Sequence, residues 1–193
     1  MIGWTGDPAV VQAQEALDQG KLDEAVSILE THVAEKPASI DALVILQQVQ
    51  WRRNDIPAYH KASVQLIQAQ LKAHDLDAAW SSYEELSNSA GGNLPPAPWL
   101  ELIRHLENQQ NAERAVAECD RLAQAYPQER PALLALLTAG RLSLKKLNRP
   151  DEALRYYKAA DLSPVPHLDW ETNIKAGIAD AERAMSSPVG SQK

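Results

Sequence analysis

Five histidines, one cysteine and a glycine pair are the side chains here that could do chemistry, and their spacing decides what they can do. His32, His60, His74, His105 and His167 stand in no His-Glu-x-x-His or Cys-x-x-Cys arrangement, so the chain offers no metal-ligand spacing and implies no cofactor. His105 has Glu101 and Gln109 at helical distance, a set that could hold a proton but lacks a nucleophile. Gly91-Gly92-Asn93 lacks the preceding strand and the following Lys-Ser/Thr that a phosphate-cradling loop requires. No Gly-x-Ser-x-Gly elbow is present. Cys119 is alone, which excludes an internal disulfide and fits a reducing compartment; its place in the pattern below points it inward, as a small packed hydrophobe. The reading is non-enzymatic.

Composition narrows the partners. The 193 residues carry a net charge of −7, which argues against nucleic acid, since that binding depends on neutralising phosphates. Trp51-Arg52-Arg53 is the only basic-aromatic cluster and is too short to change that. No apolar run approaches the roughly 20 residues needed to span a bilayer, and no basic segment precedes an apolar one as in a signal peptide. The expected location is cytoplasmic.

The elements that must position any site come from a pattern that returns at about 34 residues. Gly20-Lys-Leu-Asp-Glu-Ala25, Asp75-Leu-Asp-Ala-Ala79, Asn111-Ala-Glu-Arg-Ala115 and Arg149-Pro-Asp-Glu-Ala153 are each a polar turn, an acidic helix start and a small Ala. Leu, Ile and aromatic residues at i, i+3, i+4 and i+7 supply apolar stripes, and Leu133 to Leu137 is apolar all round, as expected of a helix between neighbours. Pro57 and Pro150 fall at helix starts, where a missing N–H costs nothing. Ser89 to Pro96 is the clearest break.

On these residues the chain resembles the tetratricopeptide repeat (TPR) family, whose unit pairs two antiparallel helices. One unit from Pro96 places Trp99, Leu102, Ala115, Cys119 and Pro127 on the family's pattern; another from His60 places Leu66, Ala79, Tyr83 and Leu86. A third from Gly6 places Ala13, Ala25, Leu29 and Pro37, and a fourth from about Leu134 places Ala153, Tyr157 and Ala160. His32 and Leu122 stand where a small residue is usual, and Ile40 to Arg53 is an extra helix. That helix can pair with the one from Pro57 to Ala73, which would then serve as a B helix and as the next A helix. The resemblance implies an all-α, right-handed solenoid of about ten helices and a protein-interaction role. Residues 1–5 are expected as a linker or disordered start, 6–165 as one repeat array, 166–185 as a capping helix and 186–193 as a disordered tail.

The family lines its concave groove with set positions of each A helix. Carried across, these are Gln48, Arg52, Lys61, Gln68, Lys72, Arg104, Asn108, Lys145 and Lys146, with Leu142 as the apolar exception. An acidic chain thus gathers cations and amides on one surface, a layout for an acidic peptide or partner helix. The solvated-surface reading of such Lys and Arg residues stands beside this one. The family's carboxylate clamp for chaperone tails is not matched, because Gln, Gln and Arg occupy the place of Asn. Trp51 and Trp80 are either partner anchors or core.

A narrower resemblance lies in Ser163-Pro-Val-Pro-His-Leu-Asp-Trp170 following Leu147 to Ala153, together with Trp99-Leu-Glu-Leu and Ala125-Tyr-Pro127. These look like stretches of the repeat-bearing C-terminal tails of some bacterial rhomboid-type membrane proteases. The alternative this implies is a regulatory or adaptor tail, tethered to a membrane domain absent from this chain and not itself inserted.

Overall fold

The computed structural model describes residues 6–186; the linker expected at 1–5 and the tail beyond Ser186 lie outside the described residues. The described residues form ten α-helices and no strand: α1 (Pro8–Asp18), α2 (Leu22–Glu35), α3 (Ile40–Arg52), α4 (Ile56–Lys72), α5 (Leu76–Ala90), α6 (Pro96–Asn108), α7 (Ala112–Ala125), α8 (Arg130–Lys145), α9 (Pro150–Asp161) and α10 (Glu171–Ser186). A single 3-10 turn, Leu168–Trp170, leads into α10.

Four of the helix-to-helix turns repeat one construction. Gly20, Asn54, His74 and Gln110 each adopt a left-handed backbone, and the next residue's N–H reaches back over the helix end, as in Asp55 N to Gln50 O at 3.1 Å and Asn111 N to Leu106 O at 2.9 Å. Asp55, Asp75 and Asn111 then cap the following helix by accepting a backbone N–H at 3.1–3.3 Å. The turn folds each helix back on its predecessor, and the small Ala residues make the close crossing: Ala25, Ala79, Ala115 and Ala153 are all fully buried. The turns on both sides of α4 have this form, and α4 packs on both α3 and α5. It therefore fills the double role expected of it.

The helices group into two compact units that divide between Leu94 and Pro95, within the break, where the sequence reads as one array. In the first, α1 packs on α2 and α3, and α3, α4 and α5 follow in order. Its core holds Leu17, Leu29, Leu43, Val49 and Leu66. The loop after α5 is held to α4, where the His60 ring nitrogen lies 3.2 Å from the Asn93 carbonyl oxygen. A Cβ on Gly92 would meet that imidazole at 2.1 Å.

In the second unit α8 packs against α6, α7, α9 and α10, as its all-round apolar sequence requires. Trp99, Leu102, Cys119, Leu122, Leu133 and Ile174 are buried. Glu118 is buried beside them because it has partners: the Trp99 indole N–H donates to it at 3.1 Å, and Arg114 and Arg121 ion-pair with it. Tyr157 packs against Gly140 and Gly177, and a Cβ on Gly177 would stand only 2.5 Å from its ring.

Candidate binding surfaces

All nine candidate residues are exposed or half-buried, and they fall into separate sets in the two units. In the first unit Lys61, Gln68 and Lys72 lie on α4, joined by Gln65 at i, i+4, i+7 and i+11 spacing, so the four form one row along the helix. Gln48 and Arg52 lie on α3. In the second unit Arg104 and Asn108 stand one turn apart on α6, and Lys145 and Lys146 close α8.

Two features recast parts of this set. Arg52, Lys72 and Lys145 sit in the last turns of their helices, where a cation also offsets the negative end of the helix dipole. The α8 helix starts at Arg130, one turn before the expected unit start at Leu134, so its face carries Leu134, Thr138 and Arg141, while Leu142 is buried. Arg141 donates to Glu107 of α6 at 2.7 Å across 34 residues, and Lys145 lies 3.9 Å from Asp180 of α10.

Ion pairing separates the cations sharply. Among the described Lys and Arg residues, six have no carboxylate within ion-pairing distance: Arg52, Lys61, Lys72, Arg104, Lys146 and Lys158. Five of the six belong to the candidate set. In an acidic protein, unpaired cations concentrated on chosen helices have charge to offer a partner.

Each unit also has a cleft. Between α2 and α4, over α3, lies one of about 510 Å³ with Val33, Leu46 and Ala62 in its floor and Lys61, Gln65 and Glu30 at its rims. Between α8 and α10 lies one of about 430 Å³ lined by Leu134, Leu137, Tyr157, Trp170, Arg141 and Asp180. The Trp170 indole N–H, buried at its nitrogen, has no partner among the described residues. Trp51 is 49% exposed and lies against Tyr59 with ring centroids 5.0 Å apart, whereas Trp80 is half-buried against Tyr83.

The reactive residue types do not assemble a site where the sequence offered one. His105 is buried while Glu101 and Gln109 are exposed, so the three do not converge. Burial pushes the Cys119 thiol up to about 12, far from a thiolate at neutral pH. Among the described residues no group of three or more His, Cys, Asp or Glu is placed to hold a metal ion. The structure does bring together a grouping that the sequence did not suggest: Asp7, His32 and Ser39. The His32 Nε2 lies 3.3 Å from the Ser39 hydroxyl and its Nδ1 3.7 Å from Asp7. That order suits nucleophile activation, but 3.7 Å is too long for the orienting hydrogen bond. The Asp7 carboxylate is committed elsewhere, capping α1 through Ala9 N–H at 3.1 Å and accepting from Lys36 at 2.6 Å. The cluster is a clamp joining α1 to the end of α2. It lies on three separate elements, so no local spacing announces it.

No family model and no curated protein matches the chain. Among solved structures it is similar to the MamA protein, at 16% identity over 79% of this chain and 87% of that one, with a TM-score of 0.42. It is also similar to a thermophilic TPR protein of Thermus thermophilus, at 15% identity, 89% and 97% coverage and a TM-score of 0.42. A third is YrrB, described as a TPR protein with an unusual peptide-binding site, at 13% identity, 93% and 91% coverage and a TM-score of 0.41.

Proposed function

We propose that the chain is a non-enzymatic interaction scaffold that captures an acidic peptide or partner helix through its cation and amide rows. The observation that carries this is the coincidence just described: five of the six described cations without an ion pair are candidate-surface residues. Amides at Gln48, Gln65, Gln68 and Asn108 stand beside them and suit the backbone of a bound chain. Each exposed pair with a ligand carboxylate contributes about 0.2–1 kcal/mol, so the expected interaction is micromolar and salt-sensitive. No helix of the described residues is long and apolar enough to cross a membrane.

The test is binding of a labelled glutamate-rich peptide, followed by fluorescence anisotropy at low and high salt. The variant carrying Lys72→Glu, Arg104→Glu and Lys146→Glu is expected to lose at least about tenfold in affinity with an unchanged helical circular-dichroism spectrum. Undiminished, salt-insensitive binding by that variant would remove the cations from the mechanism.

A further inference from the structure

The first unit's surface is specific enough to describe its ligand. The α2 and α4 helices each pack on α3, and the cleft of about 510 Å³ lies between them. We propose that this cleft and the α4 row beside it form a linear track for an extended acidic peptide, with two carboxylates about five residues apart and a small apolar residue between them. This rests on the scaffold reading and names the ligand of one of its surfaces.

The spacing follows from the helix. Lys61 and Lys72 begin and end the α4 row, and a rise of 1.5 Å per residue separates their stems by about 16 Å. An extended chain covers that distance in about five residues. Both ammonium groups are exposed and have no carboxylate of the described residues within ion-pairing distance. Gln65 and Gln68 lie between them and present amides to a passing backbone.

A further donor belongs to the cleft. Gln50 lines it and is only 3% exposed. Its Oε1 accepts from Arg53 at 3.3 Å, which leaves its NH₂ group without a partner among the described residues. The amide nitrogen is not among the fully enclosed polar atoms, so it opens into the cleft and can donate to a ligand or to water. Val33, Leu46 and Ala62 leave room over the floor for one small apolar side chain.

Glu30, on the opposite rim, gives the two rims opposite sign and assigns the ligand's carboxylates to the α4 side. The cleft of the second unit lacks this character, because Arg141 is paired with Glu107 and Asp180 with Arg183 and Lys145.

The experiment uses the full chain and labelled nonapeptides read by fluorescence anisotropy. One peptide carries two glutamates five positions apart with valine between them; a second has the same composition with the glutamates adjacent; a third has glutamine for both. The spaced peptide is expected to bind about five- to tenfold more tightly than either control. Lys61→Gln and Lys72→Gln each reduce that affinity about two- to fivefold. A fourth peptide has serine in place of the valine and binds more weakly than the spaced peptide; Ala34→Trp, at an exposed position on the cleft edge, abolishes that difference. Circular dichroism confirms that each variant is folded.

Equal affinity for spaced and adjacent glutamates, or indifference to the Lys61 and Lys72 variants, overturns the track. If Arg104→Gln alone then weakens acidic peptides, the scaffold reading stands without it. If no acidic peptide binds, or if none of these variants alters binding, both readings fall.

Discussion

The two units use the same helix-pair construction and differ in how many of their cations are paired. In the second, arginines on one repeat meet carboxylates on the repeat before: Arg141 donates to Glu107 across 34 residues, and Arg149 grips both oxygens of Glu113 across 36. Those separations are close to the repeat length, so equivalent positions of successive helices lie side by side and opposite charges fall into register. In the first unit α4 serves two pairs at once. Arg52 ends α3 and Lys72 ends α4, the next helix folded back against it, so they occupy opposite ends of one hairpin. Arg52, Lys61 and Lys72 have no ion pair among the described residues. Three of the six described Lys and Arg residues of this unit are unpaired, against three of twelve in the second. The more regular repeats thus pair more of their cations, and the α3–α4 hairpin leaves more of its own available to a ligand.

The tryptophans carry the largest expected difference between the units. Trp99 is fully buried with its N–H on Glu118, so Trp99→Ala is expected to cost about 3–5 kcal/mol. Trp51, half exposed against Tyr59, should cost only about 1 kcal/mol, the scale of one aromatic contact. Urea denaturation of the two variants measures both. A Trp51→Ala loss as large as that of Trp99→Ala would mean that the exposed ring is a structural pin, and the view of the first unit as the surface-presenting half would have to change.

Much of this was legible in the chain, for identifiable reasons. The turns were readable because their residues are local: Asp55, Asp75 and Asn111 cap three of them and Gly20 marks the fourth, and the double role of α4 follows from two such turns flanking one apolar stripe. The inward positions of Ala25, Ala79, Ala115 and Ala153 were equally readable, since burial repeats with the period. The start of α8 was not. Alignment on Ala153 fixes the end of this helix and not its beginning, so its first turn, Arg130 to Leu133, lies ahead of the unit start expected at Leu134. The clamp of Asp7, His32 and Ser39 was invisible because contacts between elements leave no spacing to read.

A smaller effect sharpens the contrast in charge. A double-mutant cycle on Arg141→Gln and Glu107→Gln is expected to give a coupling of about 0.2–1 kcal/mol in favour of the pair, since both side chains remain partly in water. Lys61→Gln and Lys72→Gln should leave stability within about 0.5 kcal/mol of the parent, as substitutions on an exposed surface do. Thermal melts at low salt separate the two cases. Loss of stability in the lysine variants would show that these ammonium groups have structural partners, and would weaken their assignment to a ligand.

The smallest effect concerns acid, and it compares one carboxylate from each unit. Lys36 holds the Asp7 carboxyl below its ordinary range chiefly through its hydrogen bond, helped by the Ala9 amide and His32 and opposed by desolvation. Lys175 does the same for Glu171. Because both are depressed in the folded state, both favour folding above the unfolded carboxylate range, and that contribution is lost as the pH falls through the folded values, below about pH 4. The difference is one of reach. Lys175 and Glu171 are a single turn apart on α10, whereas Lys36 and Asp7 join the end of α2 to the start of α1. Carboxyl titration by NMR should therefore find both groups low. Lys36→Met should return Asp7 toward normal and also shift the resonances of α1, while Lys175→Met should change Glu171 and leave the packing signals of the second unit in place. If Asp7 stayed low in Lys36→Met, the helix cap and His32 would be the dominant cause, and the clamp would belong to the start of α1 rather than to the junction of the first helix pair.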